Sequence, residues 1–401
     1  MKITGVETVR LGGFPNILWV VVHTDQGITG LGETYFHPAA TEAHVHDVLA
    51  PYLIGKDPRQ IEHHQLHFTG YLGFAGSGAE TRARSAVDTA LWDILGKSVD
   101  LPLCDVLGGR VRNDIKVYNT CAGYSYTRNN NLKGTQNFGI GKDEGKYDDL
   151  SAFLERADEL AASLLEMGIS AMKIWPFDYA AEATQGQYIS LDELKKALVP
   201  FEKIRHAVGD KMEVMAELHS MWNKPMAIRI ARALEPINPL WVEDPVVMDN
   251  MAEIADVAAA TRCPIGVGET RGMRSDFRTL LEMKSLGLLI MDMSWCGGIT
   301  EAKAIAASAQ AYHLPVAFHD CTGPVVLTAS THLALNARNC FIQEVVRAFY
   351  YGWYSDVVTG LPPLAKGRIT VPDAPGIGLS LLPDLHKRSD YSSRMTDKAS
   401  L

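Results

Sequence analysis

Apolar and polar residues alternate in two different rhythms along the chain, and the first rhythm covers residues 1–115. Two apolar runs, ILWVVVHT and ITGLGET, flank the turn sequence DQG and predict a β-hairpin. The stretches AATEAHVHDVLAPYL and AETRARSAVDTALWDILGKSV carry apolar residues at three- and four-residue spacing and predict helices. The pattern therefore predicts an N-terminal α+β domain.

The second rhythm, over residues 116–345, consists of short apolar runs that alternate with amphipathic helical segments. The runs predict eight strands: KVYNTC, AMKIWP, EVMAEL, LWVEDP, PIGVGE, LLIMDM, PVAFHD and CFIQEV. Such strands suit a closed parallel barrel, because helices cover them outside and side chains pack inside. An open doubly wound sheet is the alternative, but no glycine-rich phosphate loop follows an early strand. We therefore predict a barrel.

Two segments fit neither rhythm. Residues 346–401 are rich in Gly, Pro and Tyr and lack the pattern of a clear eighth helix, so we expect this tail to return to the N-terminal domain. Residues 124–149, after the first barrel strand, are polar and too many for an ordinary connection. They form either a mobile surface insertion or a flap over the barrel mouth, and the sequence leaves both open.

Composition narrows the class of protein. The 401 residues are 47% hydrophobic and 21% charged, as in soluble globular proteins. A formal net charge of −9 argues against nucleic acid or an anionic membrane as partner. There is no apolar run of membrane-spanning length and no signal-peptide core, so we expect a cytoplasmic protein. The six cysteines are scattered without a CxxC pair, and we expect them to be reduced and mostly buried.

Polar side chains stand at the ends of the predicted barrel strands. They are Lys173, Glu217 with His219, Glu243, Glu269, Asp292, His319 and Glu344. From Glu217 to Glu344, successive strand ends lie 23 to 27 residues apart, which is about one strand–helix unit. These residues are therefore expected to converge on the catalytic face of the barrel.

Three glutamates from adjacent strands, Glu217, Glu243 and Glu269, would repel one another unless a cation lay between them. Oxygen ligands with room for water and substrate suit Mg²⁺, whereas Zn²⁺ favours nitrogen or sulfur. The sequence thus predicts a Mg²⁺ site; the alternative is three acids that each pair with a surface Arg or Lys. The run EHHQLHF, residues 62–68, also invites a zinc interpretation, but we expect its histidines His63, His64 and His67 to form a solvated helix face.

The stretch VMAELHSM places Glu217 and His219 two positions apart. Alternate residues of a strand share a face, so we expect both side chains to point the same way. A salt-bridged surface pair is the alternative for an isolated E-x-H.

Together these motifs resemble the mandelate racemase branch of the enolase superfamily. The stretch SAVDTALWDILGKSVDLPLCDVLGG resembles the family signature between capping domain and barrel, and AMK, WVEDP, VGET, GGIT and FHD follow in family order. The resemblance covers nearly the whole chain. It implies an α/β fold, with a modified (β/α)7β TIM barrel and an N-terminal α+β capping domain completed by the C-terminal tail. The implied chemistry is removal of a proton α to a carboxylate, through an ene-diolate that Mg²⁺ stabilises.

The resemblance assigns a role to each strand-end residue. Glu217, Glu243 and Glu269 are implied as Mg²⁺ ligands, His319 as the base and Asp292 as its dyad partner. Lys173 resembles the first lysine of the family's K-x-K pair, and Glu344 the hydrogen-bonding acid of the last strand. Two departures stand out, because Trp175 replaces the second lysine and Glu217 replaces an aspartate.

Trp175 bears on the reaction, since tryptophan cannot exchange a proton and two-base racemisation through the lysine route is lost. His219 could instead protonate a departing β-hydroxyl, as a matching histidine does in some acid-sugar dehydratases of the family, or it could only bind a substrate hydroxyl. We expect Trp175, Tyr35 and His37 to contact the substrate; packing alone is the alternative for Trp175.

The predicted function is a Mg²⁺-dependent dehydratase that converts a small-molecule sugar acid into a 2-keto-3-deoxy acid. An epimerase, racemase or cycloisomerase that uses the same intermediate is the first alternative. A catalytically silent acid-binding sensor is the second. We also expect a homo-oligomer with no nucleic-acid or membrane partner.

Overall fold

The N-terminal part of the chain folds around an antiparallel sheet. The computed structural model describes residues 1–68, 78–129, 132, 134–140 and 145–401. The sheet order is β16-β1-β2-β3, with the strands β1 Ile3–Leu11, β2 Ile17–Thr24, β3 Thr29–Tyr35 and β16 Tyr391–Asp397. The predicted hairpin is β2–β3. Strand β16 pairs with β1 from Gly5–Asp397 to Leu11–Tyr391, so the tail returns to this domain as predicted.

Helices cover one face of that sheet. Their bounds are α1 Pro38–His44, α2 Ala50–Leu53, α3 Ile61–Phe68, α4 Ala79–Ser98 and α5 Leu103–Val106, with a π-helical turn at Val45–Leu49. Helix α4 packs directly against β3. The approach is so close that a Cβ added at Gly32 would come 1.8 Å from the carbonyl oxygen of Ala86. Buried Val20 of the sheet and Val87 of the helix belong to the same apolar core.

Eight parallel strands close a barrel in the described part of the chain. They are β4 Ile115–Thr120, β5 Ala171–Ile174, β6 Glu213–Glu217, β7 Val242–Glu243, β8 Ile265–Val267, β9 Leu288–Met291, β10 Val316–Phe318 and β11 Cys340–Val345. The last strand pairs with the first through Gln343 and Val117, which confirms the closed barrel and excludes the open sheet.

Helices surround the barrel. They are α6 Asp149–Glu155, α7 Ala157–Glu166, α8 Asp178–Thr184, α9 Leu191–Val208, α10 Lys224–Leu234, α11 Ala252–Ala260, α12 Met273–Glu282, α13 Gly298–Ala311, α14 Pro324–Asn336 and α15 Arg347–Gly352. The short α15 stands where an eighth barrel helix would be. The tail then forms β12 Val358–Thr359, β13 Leu364–Ala365, β14 Arg368–Ile369 and β15 Ser380–Leu381 before β16.

Two smaller predictions have different outcomes. The six cysteines are unpaired and all but Cys321 are buried, as expected. The solvated face predicted for the histidines of α3 is wrong for His64, which is fully buried and hydrogen-bonded to the Asp57 carbonyl oxygen and the Tyr52 hydroxyl.

No described helix combines the length and apolar character needed to span a bilayer. The domain limits at residues 115 and 345 stay predictions.

Candidate active site

The alternation of side chains along the barrel strands places the polar residues in a layer next to an apolar cluster inside the barrel. A separate apolar cluster contains Tyr118, Ala171, Met215, Trp241, Leu288, Ile290, Ala317 and Ile342. Two residues after members of this cluster come Thr120, Lys173, Glu217, Glu243, Asp292, His319 and Glu344. Because strand residues two apart share a face, these polar side chains form the next layer, at the carboxyl ends of the strands.

The three predicted metal ligands meet at these strand ends, where Glu269, which follows β8, joins Glu217 and Glu243. One carboxylate oxygen from each of Glu217, Glu243 and Glu269 lies within 4.8 Å of the others. Glu217 and Glu243 are almost fully buried, and Glu269 is partly exposed. Among the described residues, this is the only group of three or more His, Cys, Asp or Glu side chains arranged closely enough to hold a metal ion.

Lys173 places a positive charge beside these carboxylates. Its buried ammonium lies 2.6 Å from Glu243, 3.1 Å from Glu217 and 3.2 Å from Glu344. Burial opposes the charge, but the surrounding carboxylates raise the pKa of Lys173 well above its usual value. The lysine is therefore a fixed cation rather than a proton acceptor at neutral pH.

The pKa values of Glu217 and Glu243 shift in opposite directions. Burial would raise the pKa of Glu217, but the charges of Lys173 and His219 lower it to about 2. Burial and the neighbouring charge of Glu217 raise the pKa of Glu243 well above its usual value. The single positive charge of Lys173 therefore does not neutralise the three glutamates.

This donor set fits Mg²⁺. The cluster offers carboxylate oxygens without nitrogen or sulfur, as hard divalent cations require. Glu217 Oε1 accepts the backbone N–H groups of Leu218 and His219, whereas its buried Oε2 lies 3.1 Å from the Lys173 ammonium and accepts no directed hydrogen bond from a described residue. An oxygen held in place with an unused lone pair is what a metal ligand provides.

His319 and Asp292 form the predicted dyad. His319 Nδ1 lies 2.7 Å from Asp292 Oδ2, and the Ser294 backbone N–H and hydroxyl hold Asp292 Oδ1, each at 2.6 Å. His319 Nε2 lies 3.2 Å from Glu269, so the imidazole borders the glutamate cluster. Burial would lower the pKa of His319, but Glu269, Glu344 and Asp292 raise it well above its usual value.

Glu344 joins the dyad to the lysine. Its Oε1 accepts a hydrogen bond from the Thr120 hydroxyl, and its Oε2 accepts the backbone N–H of Asp320 at 2.9 Å. The residue is fully buried beside Lys173.

His219 reaches the site differently from the prediction. Strand β6 ends at Glu217, and His219 and Ser220 have the left-handed φ values of 47° and 56°. The shared strand face is therefore the wrong explanation of the pair. Hydrogen bonds between Ser220 and Asp244 hold this turn, and the His219 backbone N–H donates to Glu217 Oε1 at 2.8 Å.

The His219 ring is enclosed by aromatic and acidic groups. Its centroid lies 5.6 Å from that of Trp175 and 6.3 Å from that of Phe138, and its Nδ1 lies 2.6 Å from Asp178. Burial would lower the pKa of His219, but Asp178 and Glu217 raise it to about 9. These two carboxylates therefore favour the protonated imidazole.

Trp175 is fully buried and packs against His219, Tyr126 and Phe153. Its indole ring flanks the His219 imidazole. The Tyr35 hydroxyl is hydrogen-bonded to the Thr127 hydroxyl. His37 lines a cavity of about 790 Å³ together with Arg10, and the three glutamates are not among the described residues that line it.

The described parts of segment 124–149 pack against the site. Phe138 contacts the rings of His219 and Tyr126, and the Asn16 side chain donates to the Thr127 carbonyl oxygen at 2.6 Å. The segment therefore joins the N-terminal domain to the barrel mouth, which favours a flap over a mobile surface insertion. Residues 130, 131, 133 and 141–144 of this predicted insertion lie outside the described residues.

Sequence reasoning missed several polar residues that support the site. Thr120 holds Glu344, Ser294 holds Asp292, Asp178 holds His219, and Asp244 holds the turn after Glu217. Thr120 and Asp244 could have been found as strand-end neighbours of the candidate residues. Asp178 carried no such signal, since it begins helix α8.

Comparison with known proteins identifies the family. Residues 13–108 match the mandelate racemase/muconate lactonizing enzyme N-terminal domain, and residues 155–385 match the enolase C-terminal domain-like family. The chain belongs to the mandelate racemase and muconate lactonizing enzyme family of the enolase superfamily. The predicted resemblance, the barrel fold and the prediction of an enzyme are thereby confirmed.

Members of this family resemble the chain over nearly its full length. A D-galactonate dehydratase of Ralstonia nicotianae is 31% identical over 393 residues, which cover 95% of this chain and 92% of the relative. The crystal structure of an enolase of the mandelate racemase subgroup from Agrobacterium tumefaciens has 51% identity and a TM-score of 0.89, with 100% of both chains covered. An enolase protein from Sargasso Sea environmental sequencing has 40% identity and a TM-score of 0.88, with 99% of both chains covered.

Proposed function

We propose that this protein is a Mg²⁺-dependent sugar-acid dehydratase, which removes an α proton and a β-hydroxyl to give a 2-keto-3-deoxy acid. The observation that carries the proposal is that two histidines border the three-glutamate cluster: His319 Nε2 lies 3.2 Å from Glu269, and the charges of Glu217 and Glu269 act on the His219 imidazole. Dehydration needs both a base and an acid beside the substrate. Similarity to D-galactonate dehydratases supports the same reaction class, and family membership argues against a silent sensor.

His319 is the proposed base. Asp292 holds its Nδ1, which leaves Nε2 to take the proton from the carbon next to the substrate carboxylate. The bond from Asp292 keeps the ring oriented and stabilises the imidazolium that forms.

His219 is the proposed acid. Asp178, 2.6 Å from its Nδ1, favours the protonated ring, which can give a proton to the departing β-hydroxyl as the carbon–oxygen bond breaks. Water leaves, and the resulting enol rearranges to the keto acid. Trp175 and Phe138 exclude solvent from one side of the ring.

The cation requirement follows from the donor set of Glu217, Glu243 and Glu269. Bound there, Mg²⁺ would stabilise the negative charge that develops on the substrate carboxylate and would offset the Glu269 charge that raises the pKa of His319. Lys173 adds a second, permanent positive charge beside the same carboxylates. Tyr35 and His37 are proposed contacts for the rest of the substrate. The homo-oligomer and the cytoplasmic location stay predictions.

The test is a screen of acid sugars, beginning with D-galactonate, in Mg²⁺ buffer with semicarbazide detection of 2-keto products. Formation of a keto acid by the wild type, and its loss in His319→Asn, is the expected result. Cα–H exchange in D₂O without a keto acid would point instead to an epimerase or cycloisomerase. Neither exchange nor keto acid with any sugar acid would overturn the proposal.

A further inference from the structure

We infer that Asp178 is a positioning residue that fixes the ring of His219 for proton donation, so that the site contains a second aspartate–histidine dyad. The inference rests on the proposed function, because it concerns the histidine proposed as the acid. Asp178 acts through His219 and contacts neither the glutamate cluster nor Lys173 in the described hydrogen bonds and ion pairs.

The environment of Asp178 points to this single task. Its side chain is fully buried, and its Oδ2 lies 2.6 Å from His219 Nδ1. No described residue donates a hydrogen bond to the buried Oδ1. Burying a carboxylate is unfavourable unless partners compensate it, and here the compensation described comes from one imidazole.

The contact fixes which nitrogen of His219 exchanges its proton. An ionised carboxylate only accepts hydrogen bonds, so the proton between the two groups belongs to Nδ1. The proton that leaves during catalysis is then the one on Nε2. Turning the ring over would break the bond to Asp178, and the Trp175 and Phe138 rings restrict that motion.

The barrel uses the same construction twice. Asp292 follows β9 and holds Nδ1 of His319 at the end of the neighbouring strand β10. Asp178 follows β5 and holds Nδ1 of His219 at the end of the neighbouring strand β6. In both pairs the aspartate comes from the preceding strand–helix unit, which leaves the other ring nitrogen of each histidine for the substrate.

A merely structural ion pair would have the same geometry, so the test must separate the two roles. Asp178→Asn, His219→Asn and the double variant form a double-mutant cycle. Tyr179→Phe is the control on the same helix. It removes a hydroxyl that forms no hydrogen bond with a described residue. Dehydration and Cα–H exchange in D₂O are measured on each Mg²⁺-loaded variant with the substrate found in the screen.

If Asp178 is a positioning residue, Asp178→Asn should lower kcat by about 10²-fold, a loss within the range for a missing general acid. KM and Cα–H exchange should be nearly unchanged. Adding Asp178→Asn to His219→Asn should cause no further loss. Asp178→Glu retains the carboxylate and should recover part of the activity. A double variant that loses the product of both single effects, or equal losses in the Asn and Glu variants, would overturn the inference.

Proton NMR of the protein without substrate tests the dyad independently of activity. A hydrogen-bonded imidazole N–H resonance should disappear in both Asp178→Asn and His219→Asn and persist in Tyr179→Phe. Its persistence in Asp178→Asn would overturn the inference. Failure of the proposed function would look different, since the wild type would then form no keto acid while this resonance still depended on Asp178.

Discussion

Glu33 Oε1, in strand β3, accepts the backbone N–H of Val326 at 3.0 Å, so a carboxyl group of the N-terminal sheet caps the barrel helix α14. The Trp19 indole donates to Glu33 Oε2 at 2.7 Å. Only residues 320–323 separate His319 from this helix. The contact therefore ties the N-terminal domain to the loop that carries the proposed base.

Glu33→Gln is expected to make stability less dependent on pH. Burial raises the pKa of Glu33 from 4.5 to about 8, against hydrogen bonds that lower it. The favourable contribution is complete below about pH 4.5, where the carboxyl is protonated in both folded and unfolded protein. Between about pH 4.5 and 8 only the unfolded carboxyl ionises, so stability falls as pH rises, by at most about 1.4 kcal/mol per pH unit.

Denaturant unfolding of wild type and Glu33→Gln at several pH values between 5 and 8 measures this contribution. The stability of the wild type relative to the variant should decrease as pH rises, because glutamine does not titrate. A difference that is constant with pH would show that Glu33 keeps an ordinary pKa.

Removal of divalent cations should abolish activity, and Mg²⁺ should restore it, because the three glutamates lack enough positive charge without it. Mg²⁺ should also raise the melting temperature, since a ligand that binds only the folded state stabilises it. Glu243→Gln should keep the fold but lose this Mg²⁺-dependent shift, whereas the exposed Glu202→Gln should keep it. Full activity in chelator-treated protein would contradict the metal site.

The sequence could predict the strand-end residues because their placement depends on two local periodicities. Side chains alternate along each strand, and each strand–helix unit has a nearly constant length, so Glu217, Glu243 and Glu269 had to meet at one face. The order of the motifs then identified the family.

Other features depend on contacts between distant parts of the chain, which periodicity cannot show. The turn at His219 is held by Asp244 from the next strand, and the burial of His64 depends on Tyr52 and Asp57. Asp178 belongs to the site only because helix α8 begins beside the end of β6.

Arg347→Met is expected to destabilise the protein by about 3–5 kcal/mol, because it leaves Asp149 buried without its cation. The Arg347 guanidinium makes two hydrogen bonds of 2.7 Å to Asp149, at the end of segment 124–149, and both side chains are buried. Arg368→Met breaks the exposed pair with Asp114 and should change stability by no more than about 1 kcal/mol. Urea unfolding compares the two, and equal effects would contradict the ranking by burial.

The two histidines should fail in different ways, which separates the base from the acid. His319→Asn should lose both Cα–H exchange and dehydration, because Trp175 offers no replacement base. His219→Asn should lower dehydration by about 10²–10⁴-fold while exchange in D₂O persists, since the proton can still leave and return before the hydroxyl departs. This contrast requires a stepwise reaction in which proton removal is reversible. Near-normal dehydration in His219→Asn, or exchange in His319→Asn, would show that the two roles are assigned wrongly.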